Sequence, residues 1–267
     1  MFGHKLRTRN TVFLEKTCKY IFAVSLLLMA LGIWKQDDLP GPDHYDRTIR
    51  NDPIQTPTAE KPFITQVGNE RYGIFPLFDY VLDGVIVSLH DSDAWNDISH
   101  KDWKDVINIR DLCVVWGHNV ESDVYRDLHF SSGDWTCYTS GAIRDWRRFK
   151  GTQLSNNHLL ADNKVVNQAI KSAEVGDQVR VRGVLASYKN LATGGTRGSS
   201  VRRDDVGNGA CETVFVREFE IVRKGILGWR RMLTVASWCA VGSALLVIWL
   251  MIVNPVVRRR GRRPMLD

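Results

Sequence analysis

The sequence predicts an α+β chain, mainly β, in which a globular extracytoplasmic body is flanked by two transmembrane helices. Three observations carry this. Two uncharged apolar runs lie near the ends, the positive charge collects beside them, and the middle breaks into short runs with strand periodicity. With 267 residues, 44% hydrophobic and 25% charged, the chain is long enough for a full core. The same balance excludes collagen-like, wholly disordered and polytopic membrane classes.

The first run, Cys18 to Trp34, has about 15 residues without charge after Lys19, at the short end of what crosses a 30 Å hydrocarbon layer. A cleaved signal peptide is the competing reading, because Ala30 and Gly32 are small residues that a signal peptidase accepts. The second run, Met232 to Val253, is 22 uncharged residues closed by Asn254 and Pro255, the length of a spanning helix. Trp34, Trp229 and Trp249 stand near span ends, where indole rings prefer the interface.

Net charge is +6, which alone would suggest a nucleic-acid binder. The excess is terminal: Lys5, Arg7, Arg9, Lys16 and Lys19 at one end, Arg258, Arg259, Arg260, Arg262 and Arg263 at the other. Residues 36–228 keep 23 bases and 28 acids, so the body is acidic and no nucleic acid is expected as a partner. Bases before Cys18 against Asp37 and Asp38 after the span put the N-terminus in the cytoplasm. Two spans then return the C-terminus there and leave the body outside the inner membrane, in the periplasm.

The expected order is a cytoplasmic basic segment (1–17), a span (18–34), a proline-rich tether (35–62), the body (63–228), a second span (230–253) and an Arg-rich cytoplasmic tail (254–267). The tether reading rests on Pro40, Pro42, Pro53, Pro57 and Pro62 with few apolar residues between them. In the body, Tyr80–His90, Val106–Trp116, Val179–Tyr188 and Thr213–Val222 read as strands. Ala161–Ser172 reads as a helix capped by Asp162 or Asn163, with Val165, Val166, Ala169 and Ile170 on one face. A shorter helix is expected from Asp97 to Val106, and Val120–Lys150 has no clear period.

Gly176 to Leu185 reads GDQVRVRGVL, a turn feeding a strand that bends at Gly183. This resembles the GD-x-V-x-V-x-G-x-L strand of OB-fold barrels and implies an OB-like small β-barrel. The segments DLCVVWG (Asp111–Gly117), LSNNHLL (Leu154–Leu160) and GNGACET (Gly207–Thr213) resemble a family of bacterial membrane proteins with such a domain outside the membrane. That resemblance brings no activity with it.

Five segments bear on chemistry. Cys113, Cys137 and Cys211 fall in the body, where an oxidising compartment favours one disulfide. Cys113 with Cys137 closes the shortest loop, and the other two pairings stay open. The segment His90–His100 is dense in metal-ligand types, with His90, Asp91, Asp93 and His100 as candidates. Its spacing matches neither HExxH nor an EF-hand, and the favoured reading is an Asx-rich turn ahead of a helix capped by Asp97 or Ser99. The Gly- and Arg-rich stretch 193–211 offers Arg197, Arg202 and Arg203 to an anion, without a P-loop ending. His158, after Asn156 and Asn157, is a further ligand-binding candidate. Trp95, Trp103, Trp116, Trp135 and Trp146 are either core or a stacking platform for glycans.

No nucleophile elbow or triad spacing appears, and no motif calls for a cofactor or assigns a catalytic residue. The expectation is a membrane-anchored, non-catalytic protein presenting its body for protein–protein interaction or envelope assembly, as a monomer or homo-oligomer. The alternative is a ligand-binding or hydrolytic domain using the Asp/His group or the Arg/Gly loop.

Overall fold

The computed structural model describes residues 9–35, 38–94, 97–207 and 211–253. Trp95, Lys5, Arg7 and the arginines after Val253 lie outside the described residues. The chain divides into two compact units: one holds both terminal helices, and the other is Asp37–Gly225.

In the first unit, α1 (Arg9–Lys35) and α6 (Leu227–Val253) are each long and apolar enough to cross a membrane. They pack through small side chains. Cys18, Ser25 and Gly32 recur every seven residues on the buried side of α1, facing a seam on α6 that buries Ala236, Ala240 and Ser243. A Cβ on Gly32 would come within 2.9 Å of the Leu233 Cβ, so only glycine allows this approach. The opposite stripe of α1, with Phe13, Tyr20, Leu27 and Trp34, is open. Of the small residues in the second apolar run, Ser243 lies in the seam, whereas Gly242 faces away from it.

The second unit is α+β with a mixed sheet. Its main strands are β3 (Glu70–Asp91), β4 (Asn108–Val115), β7 (Leu154–Leu160), β8 (Gln178–Asn190) and β10 (Cys211–Arg223). Their pairings, β3–β4–β7–β10–β8–β3, run round a ring of five strands. All are antiparallel except β7 with β10, and that pair is reached through the helix α5 (Lys164–Lys171) and β8. The 22-residue β3 serves two neighbours, pairing with β8 over Tyr72–Val85 and with β4 over Val85–Asp91. Gly183 sits where β8 meets Val216 of β10, beside a register shift, and the Phe215 carbonyl occupies the space a Cβ would need. The bend expected at this glycine is therefore a close strand approach.

Aliphatic side chains fill the interior, among them Leu82, Val85, Leu112, Val114, Leu159, Val179, Leu185 and Val214. The helix α5 closes one end with Val166 and Ile170, and Asn163 caps it by accepting the Val165 N–H at 2.7 Å. The helix expected at 97–106 is one turn, α2 (Ser99–Trp103).

Two expectations need correction. The proline-rich segment is not an extended tether beyond its first residues: Tyr45 and Ile49 enter the core, and β1 (Ile54–Pro57) pairs with β3. The prolines shape 3-10 turns and an edge strand, positions that need no ladder N–H. The chain is also less β-dominated than expected, helix and strand being about equal, because the two terminal helices are each 27 residues long.

Val120–Lys150 takes in the end of α3 (His118–Glu121), a hairpin of β5 (His129–Ser132) with β6 (Cys137–Ser140), and α4 (Ile143–Trp146). Cys113 of β4 and Cys137 of β6 stand at disulfide distance, Cα atoms 5.8 Å apart, so the hairpin is tied to the ring. Cys211 is the unpaired cysteine of the body.

Candidate functional site

Three adjacent strands bring the polar residues together. β4, β7 and β10 set Asp111 beside His158 and Thr213 in one row, and Cys113 beside Asn156 and Cys211 in the next. β4 and β7 are buried along almost their whole length and β10 over its first half, so their polar side chains there satisfy one another. Two loops complete the site: residues 92–107 between β3 and β4, and 191–210 between β8 and β10, which includes β9 (Thr196–Arg197). The turn between β5 and β6 adds Asp134 and Trp135.

A continuous polar chain runs through the site. Asp97 accepts at Oδ2 from His90 Nε2 at 2.7 Å and His100 Nδ1 at 2.6 Å, and at Oδ1 from the His100 backbone N–H at 2.9 Å. Asn108 Nδ2 then donates to His100 Nε2 at 3.0 Å and to Asp111 Oδ1 at 2.9 Å. Asp111 Oδ1 stands 2.7 Å from His158 Nδ1, and Arg197 Nη2 donates to His158 Nε2 at 2.6 Å. Asp97, His100, Asn108, Asp111 and His158 are all buried.

This order fixes the protonation pattern. Burial pushes the His158 imidazole below its ordinary pKa and the Arg197 charge adds to that, while Asp111 opposes it. A neutral ring with its proton on Nδ1, facing Asp111, leaves Nε2 free to accept from Arg197. Burial works against the charge on Asp97, but the His100 backbone N–H and the His90 side chain outweigh it and hold the carboxyl below its ordinary value.

Trp135 organises the outer part. One face of its indole stacks on His100, centroids 3.9 Å apart, and the Arg197 guanidinium lies 4.1 Å from its centroid. Trp135 is therefore a clamp on Arg197 and not an open stacking platform. Trp116 is core, and Trp103 and Trp146 are partly exposed. Beside the clamp lies an open pocket of about 850 Å³, lined by Arg197, Ser199, Ser200, Tyr138, Asp134 and Cys211 among others. Among the described residues, no carboxylate forms an ion pair with Arg197. Burial raises the Cys211 thiol above its ordinary pKa, with Arg197 opposing, so the thiol form dominates at neutral pH.

The sequence candidates separate into two groups. Arg197 and His158 meet in this site, as do His90 and His100. Asp91 and Asp93 are drawn away: Asp91 pairs with Arg110 at 2.7 Å, and both pair with Lys171. Arg202 pairs with Asp204 on the surface, and Arg203 leaves the pocket to pair with Glu212 at 2.5 Å beside Tyr80. Asp111 and Asn108 join the site without a motif that marks them, Trp135 enters it as a clamp, and Asp97, expected with Ser99 as a helix cap, lies before the cap position Ile98 and holds His90 and His100.

The Arg203–Glu212 pair has a pH signature. Burial raises the Glu212 carboxyl to about 7, against the pull of Arg203. Between the ordinary carboxyl value near 4.5 and about 7 the folded chain thus holds a proton that the unfolded chain has lost. Glu212 therefore contributes a loss of stability as pH rises through this window. Melting curves at pH 5 and 7.5 should show wild type losing ground to Glu212→Gln as pH rises. A pH-independent difference between the two would contradict this.

No family model matches the chain, and neither a curated protein nor a solved structure matches it.

Proposed function

We propose that this is a membrane-anchored recognition protein whose OB-like body, held outside the cytoplasmic membrane, binds an anionic ligand at Arg197. The observation that carries the reading is Arg197 itself: a guanidinium clamped between Trp135 and neutral His158, at the edge of an open pocket, without a carboxylate partner among the described residues. Such a group is held for an incoming carboxylate or phosphate, since one N–H is engaged and the remaining donors stay available.

The connectivity supports the OB-like part. Five strands paired in a ring, with one parallel pair, suit a five-stranded Greek-key barrel. Barrels of that type hold ligands on their second and third strands and on the loops joining strands one to two and four to five. Counted round this chain, those are β4, β7 and the loops 92–107 and 191–210, which carry Asp111, His158, His100 and Arg197. The acidic body argues for a saccharide-like or headgroup anion over nucleic acid.

Recognition is favoured over catalysis because His158 Nε2 is engaged by Arg197 and the Cys211 thiol is held protonated. The two apolar helices and their basic flanks support an inner-membrane anchor with both termini cytoplasmic. An envelope partner protein, or a second copy of the chain, would then meet the body on the outer side.

The test uses the full chain in detergent with glucuronate and glucose 6-phosphate as charged probes and glucose as the neutral control. At saturating concentration the charged probes should raise the melting temperature of wild type and leave Arg197→Ala unmoved. Equal shifts in both proteins, or none in wild type, would overturn the reading.

A further inference from the structure

We propose that His90, Asp97, His100 and Asp134 form a binding site for a divalent transition-metal ion of the zinc type, adjoining the anion pocket and sharing Asp134 with it. His90, Asp97 and His100 each offer a ligand atom, these atoms all lie within 4.8 Å of one another, and Asp134 Oδ1 is 3.8 Å from His90 Nε2. They come from the end of β3, the following loop, the start of α2 and the β5–β6 turn, so the fold converges them from four segments.

Two imidazoles and two carboxylates are a donor set suited to zinc and its neighbours, whereas calcium and magnesium prefer oxygen alone. The far atoms of three of the four side chains are already tied down. Asp97 Oδ1 accepts the His100 backbone N–H, Asp134 Oδ2 accepts the Ser99 hydroxyl at 2.7 Å, and His100 Nε2 faces Asn108. Outer bonds of this kind aim and fix metal ligands. Asp97 and His100 are buried while Asp134 is open to solvent.

Loading requires two adjustments. Metal bonds of about 2.0–2.1 Å set tetrahedral donor edges of roughly 3.3 Å, so the present 2.6 and 2.7 Å contacts must open by roughly 0.7 Å. Each imidazole must also move its proton to the ring nitrogen facing away from the ion, with no net proton released. For His100 this turns Nε2 into a donor, and the Asn108 amide must rotate to present its oxygen. That oxygen is buried and without a partner as the site stands. The same rotation takes the Asn108 N–H from Asp111.

The experiment is titration of the full-length, chelator-treated chain with Co²⁺ followed by visible absorption, with Zn²⁺ in competition. One equivalent should bind with a four-coordinate cobalt spectrum lacking a sulfur charge-transfer band, and Zn²⁺ should displace it. His90→Ala, assayed below its own melting range because it removes a partner of buried Asp97, should weaken binding about 100-fold. Asp134→Asn should weaken it less, and Arg197→Ala should leave it intact. Absence of stoichiometric binding by folded wild type, unchanged affinity in His90→Ala, or a cobalt–thiolate band would each overturn the proposal.

Discussion

Asp111→Ala is expected to lower the stability of the body by about 3–4 kcal/mol, the largest effect of any single change at the site. Asp111 is fully buried between β3 and β7, accepts the Asn108 amide at 2.9 Å and faces His158 Nδ1 at 2.7 Å. Its removal leaves the Asn108 amide N–H without an acceptor and the buried His158 ring without the carboxylate beside it, at about 1–3 kcal/mol each, before any cavity is counted. For a unit of this size the melting temperature should fall by about 6–15 °C. Asp111→Asn keeps one acceptor oxygen and should lose less. Anion binding should fail in Asp111→Ala even below its melting range, because His158 would then lose the orientation that lets Nε2 receive Arg197. A drop under about 2 °C with binding retained would show that the chain from Asn108 to Arg197 has no structural coupling.

The paired substitution Cys113→Ala with Cys137→Ala should cost about 3 kcal/mol. The crosslink spans 24 residues, and loop closure of that length predicts a stabilisation of this order. Its position adds a functional effect: Cys137 opens β6, two residues after Trp135, so the bond fixes the turn that clamps Arg197. The double variant should both melt earlier and bind the charged probes more weakly. Thiol counting in denaturant provides the chemical check. Wild type should show three reactive thiols, those of Cys18, Cys211 and Cys239, and five only after reduction.

Much of the frame was legible because its signals are local. The two terminal helices follow from uncharged runs, α5 from an Asn cap and a single apolar face, and β8 and β10 from two-residue alternation. Loop length favoured Cys113 with Cys137 but left the other two pairings open, and the approach of β4 and β6 selects it. β7 was hidden because Asn156, Asn157 and His158 carry little strand propensity, and the strand is buried on both faces, which removes alternation. β1 was hidden because prolines in a polar stretch read as linker. Only pairing with β3 makes that segment a strand.

The site was legible by residue type and not by grouping. His90, His100, His158 and Arg197 carry ionisable or ligating side chains that draw attention anywhere. Asp111 lies inside an apolar run, where a lone carboxylate has no visible partner until β4 is laid against β7. Trp135 lies in a segment without period, and its role exists only once the disulfide sets the turn beside Arg197. The three segments first noted for their resemblance to a membrane-protein family fall on β4, β7 and the start of β10, the strands that hold Asp111, His158 and Cys211.

The most direct test of the account is calorimetric titration of glucuronate into the full-length chain and into Arg197→Ala, with glucose as the uncharged control. The account predicts saturable one-to-one binding to wild type that weakens with added salt, and no measurable heat for glucose or for Arg197→Ala. Glucuronate binding of equal strength in Arg197→Ala, or glucose binding as tightly as glucuronate, would contradict it.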